Sequence, residues 1–127
     1  MRVTLHIPAS RSALTAALEG LTQLNEVLIG RASLSGRSLP LLYESGIRYV
    51  PEVAGAGEKW QTIDQMLRTL RGDCEDLASA RAAELRSQGI DARAIVLRSG
   101  PRTFHAVVLW PDGLIEDPSK KLGMRKL

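Results

Sequence analysis

The stretch Arg71–Arg93, RGDCEDLASARAAELRSQGIDAR, holds the only cysteine of the chain and sets it where a helix begins. Gly72 ends what precedes it, and Asp73 is a residue type that caps helices by accepting from first-turn N–H groups. Glu75 and Asp76 add negative charge at the positive end of the helix dipole. Leu77, Ala78 and Leu85 extend the apolar face that begins with Cys74, and Gly89 supplies a left-handed stop. Cys74 therefore opens a helix and faces its packed side. A cysteine in that place is either a small buried hydrophobe or a nucleophile whose thiolate the helix terminus favours.

Downstream of this helix, AIVLRS (Ala94–Ser99) and TFHAVVLW (Thr103–Trp110) are β-rich and separated by Gly100 and Pro101. LIEDPS (Leu114–Ser119) follows across Pro-Asp-Gly, so a helix leads into three strands of an antiparallel sheet. The turn decides a register. If Pro111–Gly113 form a three-residue loop with Gly113 in the left-handed position, Trp110 pairs with Leu114 and Val107 with Asp117. Side chains alternate with a period of two, so Asp117 then shares a face with His105, within reach on the diagonal. A two-residue loop would put it on the other face. Cys74 as nucleophile, His105 as base and Asp117 as the group that orients the imidazole make a set for acyl transfer. First-turn N–H groups would form part of an oxyanion hole. His6, the other histidine, stands near the N-terminus.

Upstream, TIDQMLRTL (Thr62–Leu70) predicts a short helix ended by Gly72, and Pro51–Lys59 a mobile loop that could border a site. Ile47–Val50 reads as extended, Pro40–Ser45 as a short helix stopped by Gly46, and Gly30–Pro40 as a loop. Leu14, Ala17 or Leu18, Leu21, Leu24 and Leu28 form the stripe of an amphipathic helix capped by Ser10 or Ser12. Arg2–Ile7 alternates as a half-buried strand ended by Pro8. The fold class is α+β: a Cys-bearing helix on an antiparallel sheet, with N-terminal helices.

A chain of 127 residues with 44% hydrophobic content fits one domain over residues 1–127. One cysteine excludes an internal disulfide framework and a Cys-based zinc site. The charge of +3 is spread along the chain with acids interleaved, and aromatics are 4%. Neither suits a phosphate backbone or stacked bases, so nucleic acid is not an expected partner. The basic tail KKLGMRKL reads as a solvated end. No stretch has the length of a membrane span or a secretory h-region, so the expectation is a cytoplasmic protein without a membrane partner.

The ordered set GDCEDLASARAAELRSQGIDARAIVL, then FHAVVLWPDGLIEDPS, resembles the core of the transglutaminase-like superfamily over Arg71–Ser119. The resemblance implies a papain-like α+β fold, a protein or peptide substrate, and a triad that carries onto Cys74, His105 and Asp117. The GDCED start most resembles bacterial transglutaminase-like cysteine proteinases and small phage and prophage proteins, which would allow virion association. Two departures leave the substrate class open: HAVV lacks an aromatic soon after the histidine, and GIDAR stands for GIPAR.

Trp60 and Gln61 lie upstream of the cysteine, where related enzymes often place a donor to the oxyanion; core packing is the other reading of Trp60. Asp73, Glu75 and Asp76 should disfavour a thiolate at Cys74. Either helical spacing turns them away from the cysteine, or a bound Ca²⁺ neutralises them, as in some of the resembling proteinases; no cofactor is otherwise required. The expected activity is cysteine-based acyl transfer on amides, hydrolytic in preference to amine transfer. The alternative is a binding or assembly module, such as a phage morphogenesis factor, that keeps the fold without the chemistry.

Overall fold

The structure, a computed structural model, describes residues 2–5, 10–51, 58–100 and 103–124, with backbone alone at 2–5 and 58. His6, residues 52–57 of the expected loop, Pro101 and the last three residues of the basic tail lie outside the described residues.

Helix α1 (Arg11–Leu34) begins at Ser10, whose side chain accepts from the Ala13 N–H at 3.2 Å. Leu14, Leu18 and Leu21 are buried as expected, while Leu24 and Leu28 are half-buried. Thr22 and Asn25 are also buried, each with a local use: the Thr22 hydroxyl donates to Leu18 O at 2.7 Å, and Asn25 Oδ1 accepts from Ile63 N at 2.8 Å. The helix also runs through Gly30 rather than ending there. An exposed glycine costs a helix only about 1 kcal/mol, and the turn comes instead at Gly36, with φ +74°.

A 3-10 turn (Leu42–Glu44) leads to β2 (Arg48–Tyr49), which pairs in parallel with β4 (Arg71–Gly72). Strand β1 (Arg2–Leu5) pairs antiparallel with β3 (Glu58–Gln61), so the end of the expected loop is a strand. Helix α2 (Ile63–Thr69) stops at Leu70, which takes the left-handed conformation at φ +57°, and not at Gly72. Gly72 is required for a different reason. A Cβ there would sit 2.6 Å from Met66 Sδ and 3.2 Å from Asp76 Cβ.

Helix α3 (Cys74–Ser87) carries the cysteine at its first position and ends before Gly89, with φ +85°. Strands β5 (Arg93–Gly100), β6 (Thr103–Leu109) and β7 (Ile115–Glu116) form one antiparallel sheet in chain order. Ala94, Val96, Ala106 and Val108 join Leu14, Leu18, Leu21, Trp60, Ala78, Ala82 and Leu85 in one apolar cluster. A second cluster, with Leu42, Ile47, Ile63, Met66 and Leu122, takes Leu77 and Ala80 from another side of α3. Four alanines on α3, at 78, 80, 82 and 83, let neighbours approach it closely enough to bury it on most sides. In its last turn Arg86 donates to Ala92 O and pairs with Glu19 and Glu26 at 2.6 and 2.9 Å, tying α3 to α1. Residues 118–121 form a helix, α4 (Pro118–Lys121), where only a strand end was expected. The architecture is α+β, with the expected antiparallel sheet supplemented by two short ribbons.

Candidate active site

Asp73 takes extended backbone and builds a reciprocal cap with Asp76. Asp73 Oδ1 accepts from Asp76 N at 3.1 Å, and Asp76 Oδ2 from Asp73 N at 3.2 Å. This fixes the start of α3 and so the position of Cys74. The N–H groups of Asp76 and Leu77 are engaged by Asp73, which leaves those of Cys74 and Glu75 as the terminal donors of the helix.

The hairpin after β6 has the three-residue loop that the sequence suggests. Trp110 N donates to Leu114 O at 2.9 Å, Gly113 has φ +92°, and Val108 pairs with Glu116 and Leu109 with Ile115. Asp117 follows in the same register, and its Oδ2 lies 2.7 Å from His105 Nε2. Both side chains are just under one-fifth exposed. A neutral imidazole facing a carboxylate through Nε2 donates from that nitrogen, which leaves Nδ1 as the proton acceptor. Asp117 Oδ1 accepts from Lys120 N at 3.3 Å, so the same residue caps α4.

Cys74 meets this strand at the residue after the histidine, where the Ala106 N–H favours the thiolate. Stronger influences act against it. Burial, the charge of Glu75 and that of Asp73 push the Cys74 thiol well above its ordinary value. Glu75 is not turned away as helical spacing suggested, because its long side chain folds back. The Cys74 thiol donates to Glu75 Oε2 at 3.2 Å. Tyr49 is a site residue that the sequence did not single out. Burial, together with the negative charge of Asp73, Glu75 and Asp117, holds its phenol above the ordinary value. It arrives there because β2 pairs Tyr49 with Gly72, two residues before the cysteine. A two-residue parallel bridge across more than twenty residues of chain leaves no local pattern to read.

Gln61 is placed differently from the donor reading, and Trp60 takes the packing reading. Gln61 Nε2 donates to Arg71 O at 3.0 Å and to Asp76 Oδ2 at 3.3 Å, and its Oε1 accepts from Thr69 Oγ1 at 3.0 Å. Both ends of the amide are engaged, with Thr69 of α2, Arg71 of β4 and Asp76 in the cap of α3, so it is not presented as an oxyanion donor. Trp60 is 0% exposed and fills the core beside Leu18 and Ala82, which is the packing reading. The three acids do not suit a cation either. Asp76 accepts from Gln61 N, Gln61 Nε2 and Asp73 N, while Glu75 receives the thiol. Among the described residues no group of three or more His, Cys, Asp or Glu side chains is arranged to hold a metal ion. Likewise, no helix among them is long and apolar enough to cross a membrane.

No curated protein and no solved structure gives a significant match. The family model of the transglutaminase-like superfamily matches residues 40–111, which takes in Tyr49, Cys74 and His105 and stops short of Asp117. That match extends over more than half of the chain and begins well upstream of the Arg71–Ser119 core that the sequence motifs outline. The chain belongs to the transglutaminase-like superfamily.

Proposed function

We propose that this protein is a cysteine-nucleophile acyl-transfer enzyme acting on peptide or side-chain amides, with water as the favoured acceptor. The observation that carries the reading is the 2.7 Å contact of His105 Nε2 with Asp117 Oδ2, on the strand whose next N–H, that of Ala106, favours the Cys74 thiolate. In the first step the sulfur gives its proton to His105 Nδ1 and forms a bond to the carbonyl carbon. The C–N bond then breaks as His105 returns the proton to the leaving amine. Water attacks the thioester in the second step, His105 takes its proton, and the thiol is regenerated with a carboxylic acid. Asp117 fixes the tautomer and stabilises the imidazolium. The terminal N–H groups of Cys74 and Glu75 are suited to the developing oxyanion.

A second reading, a binding or assembly module, is favoured by one observation: the thiol's hydrogen-bond partner is Glu75 and not His105. The rate of Cys74 alkylation by iodoacetamide against pH, in wild type and His105→Ala, separates the two. Fast reaction at neutral pH that is lost with His105 supports catalysis. Slow reaction that rises only at alkaline pH and is indifferent to His105 would leave the binding reading.

A further inference from the structure

Glu75 is half-buried beside the cysteine, and its carboxylate lies 3.2 Å from the sulfur. Asp73 and Asp117 lie close enough, with Glu75, to raise the Tyr49 phenol. On the same helix, Arg81 pairs with Glu84 and Glu116, and Arg86 with Glu19 and Glu26. Among the described residues Glu75 takes part in no ion pair, and the group its carboxylate meets is the thiol. Helix capping does not account for it, since the reciprocal cap of α3 is complete with Asp73 and Asp76.

An uncompensated carboxylate against a reacting sulfur lowers the potential felt by whatever approaches that sulfur. Unlike charges a few ångströms apart attract even in full solvent, and more strongly as water is excluded. We propose that Glu75 is the charge-selecting residue of this site: it favours acyl groups that carry an ammonium or guanidinium beside the carbonyl that Cys74 attacks, and disfavours anionic ones. This rests on the acyl-transfer reading for its biological meaning. Lysine or arginine next to the reacting amide is then the substrate class.

The field at the sulfur can be measured without a substrate. Methanethiosulfonate reagents that differ in charge, one bearing a trimethylammonium and one a sulfonate, modify the same thiol. A disulfide forms, methanesulfinate leaves, and the thiol proton passes to the buffer. The quantity to measure is the ratio of cationic to anionic rate at Cys74, divided by the same ratio for free cysteine, at low ionic strength and with a chelator of divalent ions present. The expected ratio in wild type is about tenfold above one. It should fall most of the way toward one in Glu75→Gln, the remainder coming from Asp73 and Asp117, and reach about one in wild type at about 1 M salt, where screening reaches within a few ångströms. Glu44→Gln, an exposed acid on the 3-10 turn, should leave it unchanged. The salt series needs no variant, so it holds even if Glu75→Gln folds poorly. A wild-type ratio of one, or a raised ratio that survives Glu75→Gln, would overturn the proposal. The ratio reads the field whether or not His105 activates the thiol, so its failure is distinct from failure of the acyl-transfer reading.

Discussion

Asp117 divides its two carboxylate oxygens between two tasks: Oδ2 holds His105 Nε2 at 2.7 Å, and Oδ1 accepts from Lys120 N at 3.3 Å to cap α4. Pro118 at the first helical position suits this arrangement, since its missing N–H would have had no partner in the helix. The strand end, the cap and the imidazole contact thus come from one residue. Substitutions can separate them.

In Asp117→Asn the amide oxygen can keep the helix cap, which turns the NH₂ toward His105. A donor facing Nε2 forces the other tautomer, so that Nδ1 carries the proton and no longer accepts one. Alkylation of Cys74 at neutral pH is expected to slow on the order of tenfold, with stability within about 0.5 kcal/mol of wild type. Asp117→Ala should show the same slowing and also lose about 1 kcal/mol with the cap. Nitrogen NMR of the imidazole reads the tautomer directly. A ring in Asp117→Asn still protonated on Nε2 would refute this account of Asp117.

The cap of α3 makes a prediction for Asp76, which is 1% exposed and accepts three hydrogen bonds, from Gln61 N, Gln61 Nε2 and Asp73 N. Asparagine can accept on one side only, and its NH₂ would confront buried donors on the other. Asp76→Asn should therefore cost about 3 kcal/mol in urea unfolding, the penalty of leaving buried donors unmet. A loss under about 1 kcal/mol would mean that this cluster is not the anchor of the helix start.

Leu70 and Gly72 form a paired test of what ends α2. Leu70 holds φ +57° and is 49% exposed, so Leu70→Gly removes left-handed strain while giving up little packing. The strain of about 1–2 kcal/mol exceeds the added chain entropy of glycine, for an expected gain of about 0.5–1 kcal/mol. Gly72→Ala should instead cost about 2 kcal/mol, because its Cβ would meet Met66 Sδ at 2.6 Å and Leu77 Cδ2 at 3.3 Å. Thermal unfolding of the two variants should move in opposite directions. Destabilisation by both would place the helix stop elsewhere.

These two residues also show where sequence reasoning ended. A glycine after a helical pattern suggests a stop, but Gly72 is needed for close approach, which depends on Met66 and Leu77 packing over it in three dimensions. The long α1 stripe, the Cys74 helix and the parity of the 111–113 loop were legible because each rests on local periodicity or loop length. The β1–β3 and β2–β4 pairings were not, since two to four residues from distant parts of the chain carry no pattern of their own. Tyr49 was missed for that reason. What the Gln61 side chain can donate suggests an oxyanion role, whereas its use is decided by the neighbours Asp76, Arg71 and Thr69; Trp60 takes the packing role that is its other reading. Glu75 was misplaced because helical spacing fixes where a side chain leaves the backbone, not where a long one bends.

The last prediction concerns acid stability and starts from Glu116, which stands beside Asp117 and holds β7 to the rest of the fold. It accepts from Arg81 Nε at 2.7 Å, from Trp110 Nε1 at 3.2 Å and from the Tyr43 hydroxyl. Burial alone would raise its carboxyl, but the hydrogen bonds from Arg81 and Tyr43 overrule burial and hold it below its ordinary 4.5. The unfolded chain therefore binds more protons at this group as pH drops beneath 4.5. The stabilisation is fully present above that value and is lost as pH falls through the lower, folded one. Glu116→Gln cannot titrate, and at pH 7 it leaves Arg81 beside a neutral amide, for an expected loss of about 3 kcal/mol. Glu84, 2.6 Å from Arg81 Nη1, keeps the guanidinium from being wholly unpaired. Urea unfolding of both proteins across this range should then show the gap between them narrowing on acidification below 4.5, while it stays level above it. A gap that did not change with pH would mean that the cost of Glu116→Gln comes from packing around Tyr43 and Trp110 and not from the carboxylate's charge.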